Sequence, residues 1–163
     1  MAVELFSEIP GVVAAHLTSI YDDQKAQGKK IDLFIELADG HRIALQLSGP
    51  RDKEKIMRQI NQLKEFPVIK ELHNDEGEII DKKLTLRAVV GFDRSLWGNA
   101  YNKFLAKKTE NKISALPNKQ EVMINSINNT IASMQLARQT AGAYAKDYDE
   151  AINYLNNVTL KKL

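Results

Sequence analysis

A chain of 163 residues is long enough for one domain that buries roughly two-thirds of the surface its unfolded form would expose, so it needs no covalent staple. With 44% hydrophobic and 27% charged residues, the composition excludes a disordered tail, a collagen-like fibre and a membrane-spanning protein, and the absence of Cys excludes disulfides, thiolate metal sites and a cysteine nucleophile. Lys and Arg number 23 against 21 Asp and Glu, leaving +2, too little for net charge to announce a polyanionic partner.

The first ten residues carry Glu4 and Glu8 and no basic residue, so no secretory leader is expected. No apolar stretch approaches the ~20 residues of a membrane helix, and a cytoplasmic protein is the expectation. Val12, Val13, His16, Leu17, Ile20 and Tyr21 recur at three- and four-residue steps after Pro10-Gly11, which predicts a first helix ending near Gly28. The clearest strand signal follows. Ile31, Leu33, Ile35 and Leu37 alternate with Asp32, Phe34 and Glu36, and Ile43, Leu45 and Leu47 alternate with Arg42, Ala44, Gln46 and Ser48.

A two-residue turn at Asp39-Gly40 would set Leu33 against Gln46 and Leu37 against Arg42, mixing apolar and polar side chains on both faces. A three-residue loop, Ala38-Asp39-Gly40, with Gly40 in the left-handed region, shifts the register by one. Ile31, Leu33 and Ile35 then lie opposite Leu47, Leu45 and Ile43 on one face. The other face pairs Asp32 with Gln46, Phe34 with Ala44 and Glu36 with Arg42.

Ser48-Gly49-Pro50 ends the second strand and opens a helix with Pro in its first turn, where a missing N–H costs nothing. Ile56, Ile60 and Leu63 form its inner stripe, and Arg51, Lys55, Arg58 and Gln62 share another face. Residues 67–83 read as a polar surface loop with room for a short edge strand. Residues 84–92 give a third strand, whose Ala88-Val89-Val90 centre implies burial on both faces and a parallel crossover from the hairpin. Ser95 to Lys107 reads as a helix with Leu96, Trp97, Tyr101, Phe104 and Leu105 on its apolar side and a basic exposed side.

Asn118 followed by Glu121 is a capping pair. From there Ile124, Ile127, Ile131, Met134, Arg138, Ala141, Ala145, Tyr148, Ile152 and Leu155 form a heptad seam with one Arg in it. One unbroken helix over 119–156 would be about 57 Å long, more than such a domain spans. Either it breaks near Gly142 and folds back, or it projects as a coiled coil that joins copies. The expected class is therefore α+β: a small mixed sheet, made of the 31–48 hairpin and the 84–92 strand, packed with helices. A core over 1–110 carries a C-terminal helical region over 118–163, packed on it as one domain.

Asp32 and Gln46, side by side on neighbouring strands with Ser48 two residues on, resemble the PD-(D/E)XK nuclease family. There, an Asp on one strand and a Glu-x-Lys or Gln-x-Lys tripeptide on the next bind a divalent metal and activate water. The order hairpin, helix, strand, helix from Ile31 to Lys107 agrees with that family's core. The resemblance implies Mg²⁺ or Mn²⁺ and catalytic roles for Asp32, Gln46 and Lys55, the last as a lysine relocated to the following helix. In this sequence, however, Gln46-Leu47-Ser48 puts a neutral amide in place of a carboxylate and lacks the lysine. Asp32 alone supplies too few anionic oxygens for a hard metal. The plain alternative is that Asp32, Glu36, Arg42 and Gln46 are the solvated face of a two-sided sheet.

The segment from Leu86 to Trp97 looks like the strand and turn in the N-terminal, ferredoxin-like half of dye-decolourising peroxidases. That family's haem-ligating histidine and distal aspartate fall outside the matching segment, so this resemblance implies a haem-less fragment. His16, His41 and His73 have no ligand spacing, and no metal site is expected; His16 reads as a core or boundary residue. The glycines match neither a dinucleotide fingerprint nor a phosphate-binding loop, and no nucleophile elbow is present.

Basic residues cluster at Arg51, Lys55 and Arg58 and at Lys103, Lys107, Lys108 and Lys112, where a common surface would serve nucleic acid. With no complete catalytic set, the leading expectation is a non-catalytic interaction module without a cofactor. It would self-associate or dock another protein through Ile127, Ile131, Met134, Ala141, Ala145, Tyr148, Ile152 and Leu155. A nuclease-like or DNA-binding protein comes second.

Overall fold

The alternating residues of the hairpin form the middle of a five-stranded mixed sheet in the computed structural model, which describes residues 2–25, 31–48, 53–91 and 118–163. In chain order the elements are α1 (Ala2–Ser7), β1 (Val12–Leu17), a π-helical turn (Tyr21–Lys25), β2 (Leu33–Leu37) and β3 (Arg42–Ser48). Next come α2 (Lys53–Glu65), β4 (Val68–Ile69), β5 (Leu72–His73), β6 (Ile79–Asp81) and β7 (Thr85–Gly91). The chain closes with α3 (Lys119–Arg138), a 3-10 turn (Gly142–Tyr144), α4 (Ala145–Tyr154), a second π-helical turn (Leu155–Thr159) and α5 (Leu160–Lys162). The sheet order is β1-β2-β3-β7-β4, and β5 and β6 make a separate two-stranded ribbon. The class is α+β with a mixed sheet, as the sequence predicts.

The hairpin has the predicted loop. Leu37 N–H donates to His41 O (2.8 Å), Gly40 N–H donates to Leu37 O (3.0 Å), and Gly40 sits at φ 97°, where a Cβ is disfavoured. Leu33 pairs with Leu45, Phe34 with Ala44, Ile35 with Ile43 and Glu36 with Arg42. The third strand, β7, runs parallel to β3 from Ile43↔Leu86 to Ser48↔Gly91, and its residues from Thr85 to Val90 are all buried.

One residue earlier the predicted register fails. Asp32 N–H donates to Leu45 O (3.0 Å), although Leu45 is already the partner of Leu33, so the first strand of the hairpin carries an extra residue there. Ile31 is thereby turned to the opposite face, where it packs with Ala44, Ile69, Leu72 and Phe34 instead of lying beside Leu47. Regular pairing would give the Leu47 N–H to the Ile31 carbonyl. Instead the Asp32 carboxylate accepts it (2.7 Å), and Thr18 Oγ1 donates to the Ile31 carbonyl.

The helix expected over residues 12–28 does not form. β1 pairs antiparallel with β2, from Val12↔Leu37 to Leu17↔Leu33. A bulge between Val12 and Ala14 breaks its two-residue alternation, and Val13 and Leu17 remain 65% and 74% exposed. Apolar side chains on both faces of an irregular edge strand imitate a helical stripe, and pairing with β2 decides the outcome. Upstream, α1 was not anticipated; its Leu5 and Phe6 are fully buried. Residues 67–83 hold three short strands in place of a loop with one.

The C-terminal region breaks where a break was weighed: α3 ends at Arg138, Gly142 takes φ 56°, and α4 begins at Ala145. Ile127, Ile131, Met134, Ala141, Tyr148, Ile152 and Leu155 of the seam belong to one buried cluster with Phe6, Leu33, Ile35, Leu45 and Val90. Ala145 is half-buried. In this conformation these seven residues pack into the chain's own core. Arg138, the seam's charged member, points outward and makes a bidentate pair with Asp149 (2.9 Å at both nitrogens).

Helix side chains also complete the sheet. β4 covers only the start of β7, with Val68↔Leu86 and Ile69↔Thr85. Beyond it, Arg87 N–H donates to Tyr148 Oη (3.1 Å) and Val89 N–H donates to Ser133 Oγ (2.9 Å). The Tyr148 hydroxyl in turn donates to the Pro67 carbonyl, and burial pushes its pKa up to about 12. We expect Tyr148→Phe, which strands the Arg87 N–H, to lose about 1–3 kcal/mol in urea denaturation and to speed hydrogen exchange at the Arg87 amide. Because the folded pKa lies above the ordinary 10.0, this contribution is complete below pH 10.0 and disappears as pH rises through about 12. The alkaline slope of the urea midpoint should therefore be shallower in Tyr148→Phe.

Candidate functional site

The face of the sheet opposite the main core is partly roofed by the β5–β6 ribbon. Between them lies a cavity of about 500 Å³ lined by residues from β1, β2, β3 and both ribbon strands. Strand alternation places Phe34 and Glu36 of β2 and Arg42 of β3 on its floor. His16 of β1 sits against Phe34, ring centroids 5.2 Å apart.

Arg42 is only 3% exposed, so its charge must be met inside the protein. Its Nε donates to Thr85 Oγ1 (2.8 Å), Nη1 to Asp81 Oδ2 (2.7 Å) and Nη2 to the Lys83 carbonyl (3.0 Å). Glu36 Oε1 lies 3.7 Å from Nη1, and the guanidinium carbon lies 5.4 Å from the centre of the Phe34 ring. The Arg42 hydrogen bond, followed by the Lys83 N–H, holds the Asp81 carboxyl well below its usual range, at about 2.

At the far wall is an aspartate–histidine pair. Asp22 is 1% exposed; its Oδ1 lies 2.8 Å from His73 Nδ1, and its Oδ2 accepts the His73 backbone N–H (2.7 Å). A buried carboxylate at Nδ1 keeps a proton there and leaves Nε2 as the basic nitrogen. Tyr21 leans on the ring at 4.8 Å, and Glu71 Oε2 lies 3.8 Å from Nε2. The arrangement is that of a general base with its orienting carboxylate. Among the described residues, no side-chain hydroxyl is hydrogen-bonded to His73.

No family model, curated protein or solved structure matches this chain. The site must therefore be judged on its own chemistry.

The residues that sequence reasoning favoured lie elsewhere. Asp32, Gln46 and Lys55 do not line the cavity. Asp32 is bonded to the Leu47 N–H near the end of β3. Gln46 is 3% exposed and Ser48 fully buried, and neither Gln46 Oε1 nor Ser48 Oγ has a hydrogen-bond partner among the described residues. Arg42 and Gln46 are thus interior groups, contrary to a solvated polar face, and the ribbon's Asp81 lies against Arg42. Lys55 and Arg58 are exposed on α2, while Arg51, Lys103, Lys107, Lys108 and Lys112 and the expected helix over 95–107 lie outside the described residues.

His16 does line the cavity, but as an exposed residue of an edge strand. The Asp22–His73 pair spans 51 residues and was missed because Asp22 was assigned to a helix. A usable signal was present in Asn74-Asp75-Glu76-Gly77, a turn flanked by Leu72 and Ile79, which marks a hairpin that would bring His73 over the sheet.

The depressed carboxyl gives a measurable consequence. Asp81 contributes stability above its ordinary pKa of 3.8 that is lost as pH falls through about 2. Its side chain is 38% exposed, so solvent screens the pair. The thermal midpoint of the natural protein should fall more steeply between pH 4 and 2 than that of Asp81→Asn, with the difference shrinking as salt is added.

Proposed function

We propose that the protein is a non-catalytic binding module whose cavity receives an organic cation, such as a Lys or Arg side chain of a partner protein. The observation that carries this reading is the charge around the cavity: Asp22, Glu36, Asp75 and Asp81 face a single cation, Arg42, whose three nitrogens are already engaged. A phosphate would find no further Lys or Arg among the lining residues. The carboxylates are spread round the cavity; no three of their oxygens or imidazole nitrogens converge closely enough to hold a metal ion. His16 and Phe34 supply a ring surface on which a guanidinium or ammonium group can rest. The volume lies within the range of small-ligand pockets, roughly 300–1,000 Å³. Docking through this cavity leaves the buried C-terminal seam undisturbed.

Titration of the full chain with argininamide or butylammonium at low salt, followed by NMR, should move the ring signals of His16, Phe34 and His73. Glu36→Gln should weaken binding by a few-fold, on the scale of one screened ion pair. Shifts at these rings with inorganic phosphate but with neither cation would overturn the reading.

A second reading, a nuclease-like protein that acts on or binds nucleic acid, draws support from a different place. Asp32 is held at the end of β3, and the neighbouring Gln46 and Ser48 carry buried polar atoms without partners among the described residues. Its test is DNA cleavage with Mg²⁺ or Mn²⁺. Activity lost in Asp32→Ala would favour it over the binding module, and no cleavage with either metal would set it aside.

A further inference from the structure

Away from the cavity, the loop between β2 and β3 meets α4. There one nitrogen and two carboxylate oxygens, from His41, Asp147 and Glu150, all lie within 4.8 Å of one another. Asp147 and Glu150 are three residues apart on α4, which puts them on one face of that helix. His41 comes from more than a hundred positions away in the chain. The fold therefore assembles this group, as local sequence cannot.

The orientation of His41 is fixed from behind. Asp39 Oδ1 accepts the His41 backbone N–H (3.1 Å), and Asp39 Oδ2 lies 2.8 Å from Nδ1. A proton held at Nδ1 by that carboxylate leaves the Nε2 lone pair turned toward the helix. Nε2 stands 3.6 Å from Glu150 Oε2 and 4.0 Å from Asp147 Oδ1. Both separations are too long for a hydrogen bond. They lie close to the spacing of donor atoms around one small ion: ligands at ~2.1 Å in a tetrahedron stand roughly 3.4 Å apart. Nε2 and the two carboxylate oxygens thus converge with no hydrogen bond between them among the described residues. Among the described residues, Lys146 Nζ lies 3.7 Å from Glu150 Oε1, on that residue's other oxygen.

We propose that His41, Asp147 and Glu150 form a binding site for a divalent transition-metal ion of the zinc type, with Asp39 as the carboxylate that orients the histidine. One imidazole and two carboxylates suit Zn²⁺ better than Ca²⁺ or Mg²⁺, which favour all-oxygen shells. Three protein ligands leave a fourth position for water. The bound ion ties the hairpin loop to α4, and it does so independently of whatever occupies the cavity.

Calorimetric titration of the full chain with ZnCl₂ at pH 7.5 should give one ion per chain, and Co²⁺ in its place should give the visible absorption bands of a low-coordinate site. Glu150→Gln and His41→Gln should each weaken Zn²⁺ binding at least tenfold, and Asp39→Asn, which leaves all three ligands in place, by about 10–100-fold. All three positions lie at the surface, and an unchanged circular dichroism spectrum verifies that each variant folds. Saturable binding that survives His41→Gln undiminished would overturn the proposal, as would the absence of binding. So would nitrogen NMR shifts showing both His41 nitrogens protonated with Zn²⁺ present, the signature of an imidazolium paired with two carboxylates.

Discussion

The edge of β7 that β4 leaves unpaired is the constraint to which the rest of the molecule answers. A strand buried on both faces cannot leave its backbone donors dry, and β4 is too short to meet them all. The solution is to send side chains instead of a strand: Ser133 to the Val89 N–H and Tyr148 to the Arg87 N–H. Ser133 lies on α3 and Tyr148 on α4, so both helices must lie along the same edge. The chain achieves this by interrupting the helix at Gly142. Once the helices are held there, their apolar stripe has one place to go, onto the sheet. Arg87 is itself buried; its Nη1 donates to the Phe66 carbonyl (2.8 Å), and burial lowers its pKa. An edge closed by helices also offers no backbone row on which a foreign strand can template.

The two faces of the sheet divide the labour. One takes Leu33, Ile35, Ile43, Leu45, Leu86, Ala88 and Val90 into a continuous apolar core with α1, α3 and α4. The other carries charge and pairs it locally, with Arg42 at the centre of a network that reaches two strands and the ribbon. Since that network satisfies its own guanidinium, the carboxylates left around it set the sign of the cavity. Electrostatic character here comes from how charges are paired, and the chain's near-neutral total gives no hint of it.

Sequence patterns revealed the parts of the fold in which one rule acts alone. The alternation of residues 33–37 and 42–47, together with Gly40, was enough to choose the register, and the unbroken Ala88-Val89-Val90 run was enough to place a parallel central strand. Patterns misled where two structures share a signature. Val12, His16 and Leu17 are spaced like a helical stripe because a bulged edge strand carries apolar residues on both of its faces. The 3-4 repeat from Ile124 to Leu155 suits a helix packed on a sheet as well as a coiled coil, and periodicity cannot name the partner. Of the cavity's lining, sequence patterns single out His16 and His73 as histidines without ligand spacing and Glu36 and Arg42 as part of a polar face, but they do not bring these residues together. Asp22 and His73 meet through the tertiary placement of the ribbon, and His41 meets α4 through the packing of that helix beside the β2–β3 loop; no local rule encodes either meeting.

The extra residue at Asp32 reaches further than its own hydrogen bonds. By rotating Ile31 to the polar side of the sheet, it creates the small greasy patch on which Leu72 settles, and Leu72 directly precedes the histidine that closes the cavity. The count of residues ahead of Leu33 therefore governs where the roof comes to rest, although Asp32 and Ile31 touch none of the space beneath it. Related chains that differ by one residue at this point would keep every lining side chain and still present a differently shaped hollow.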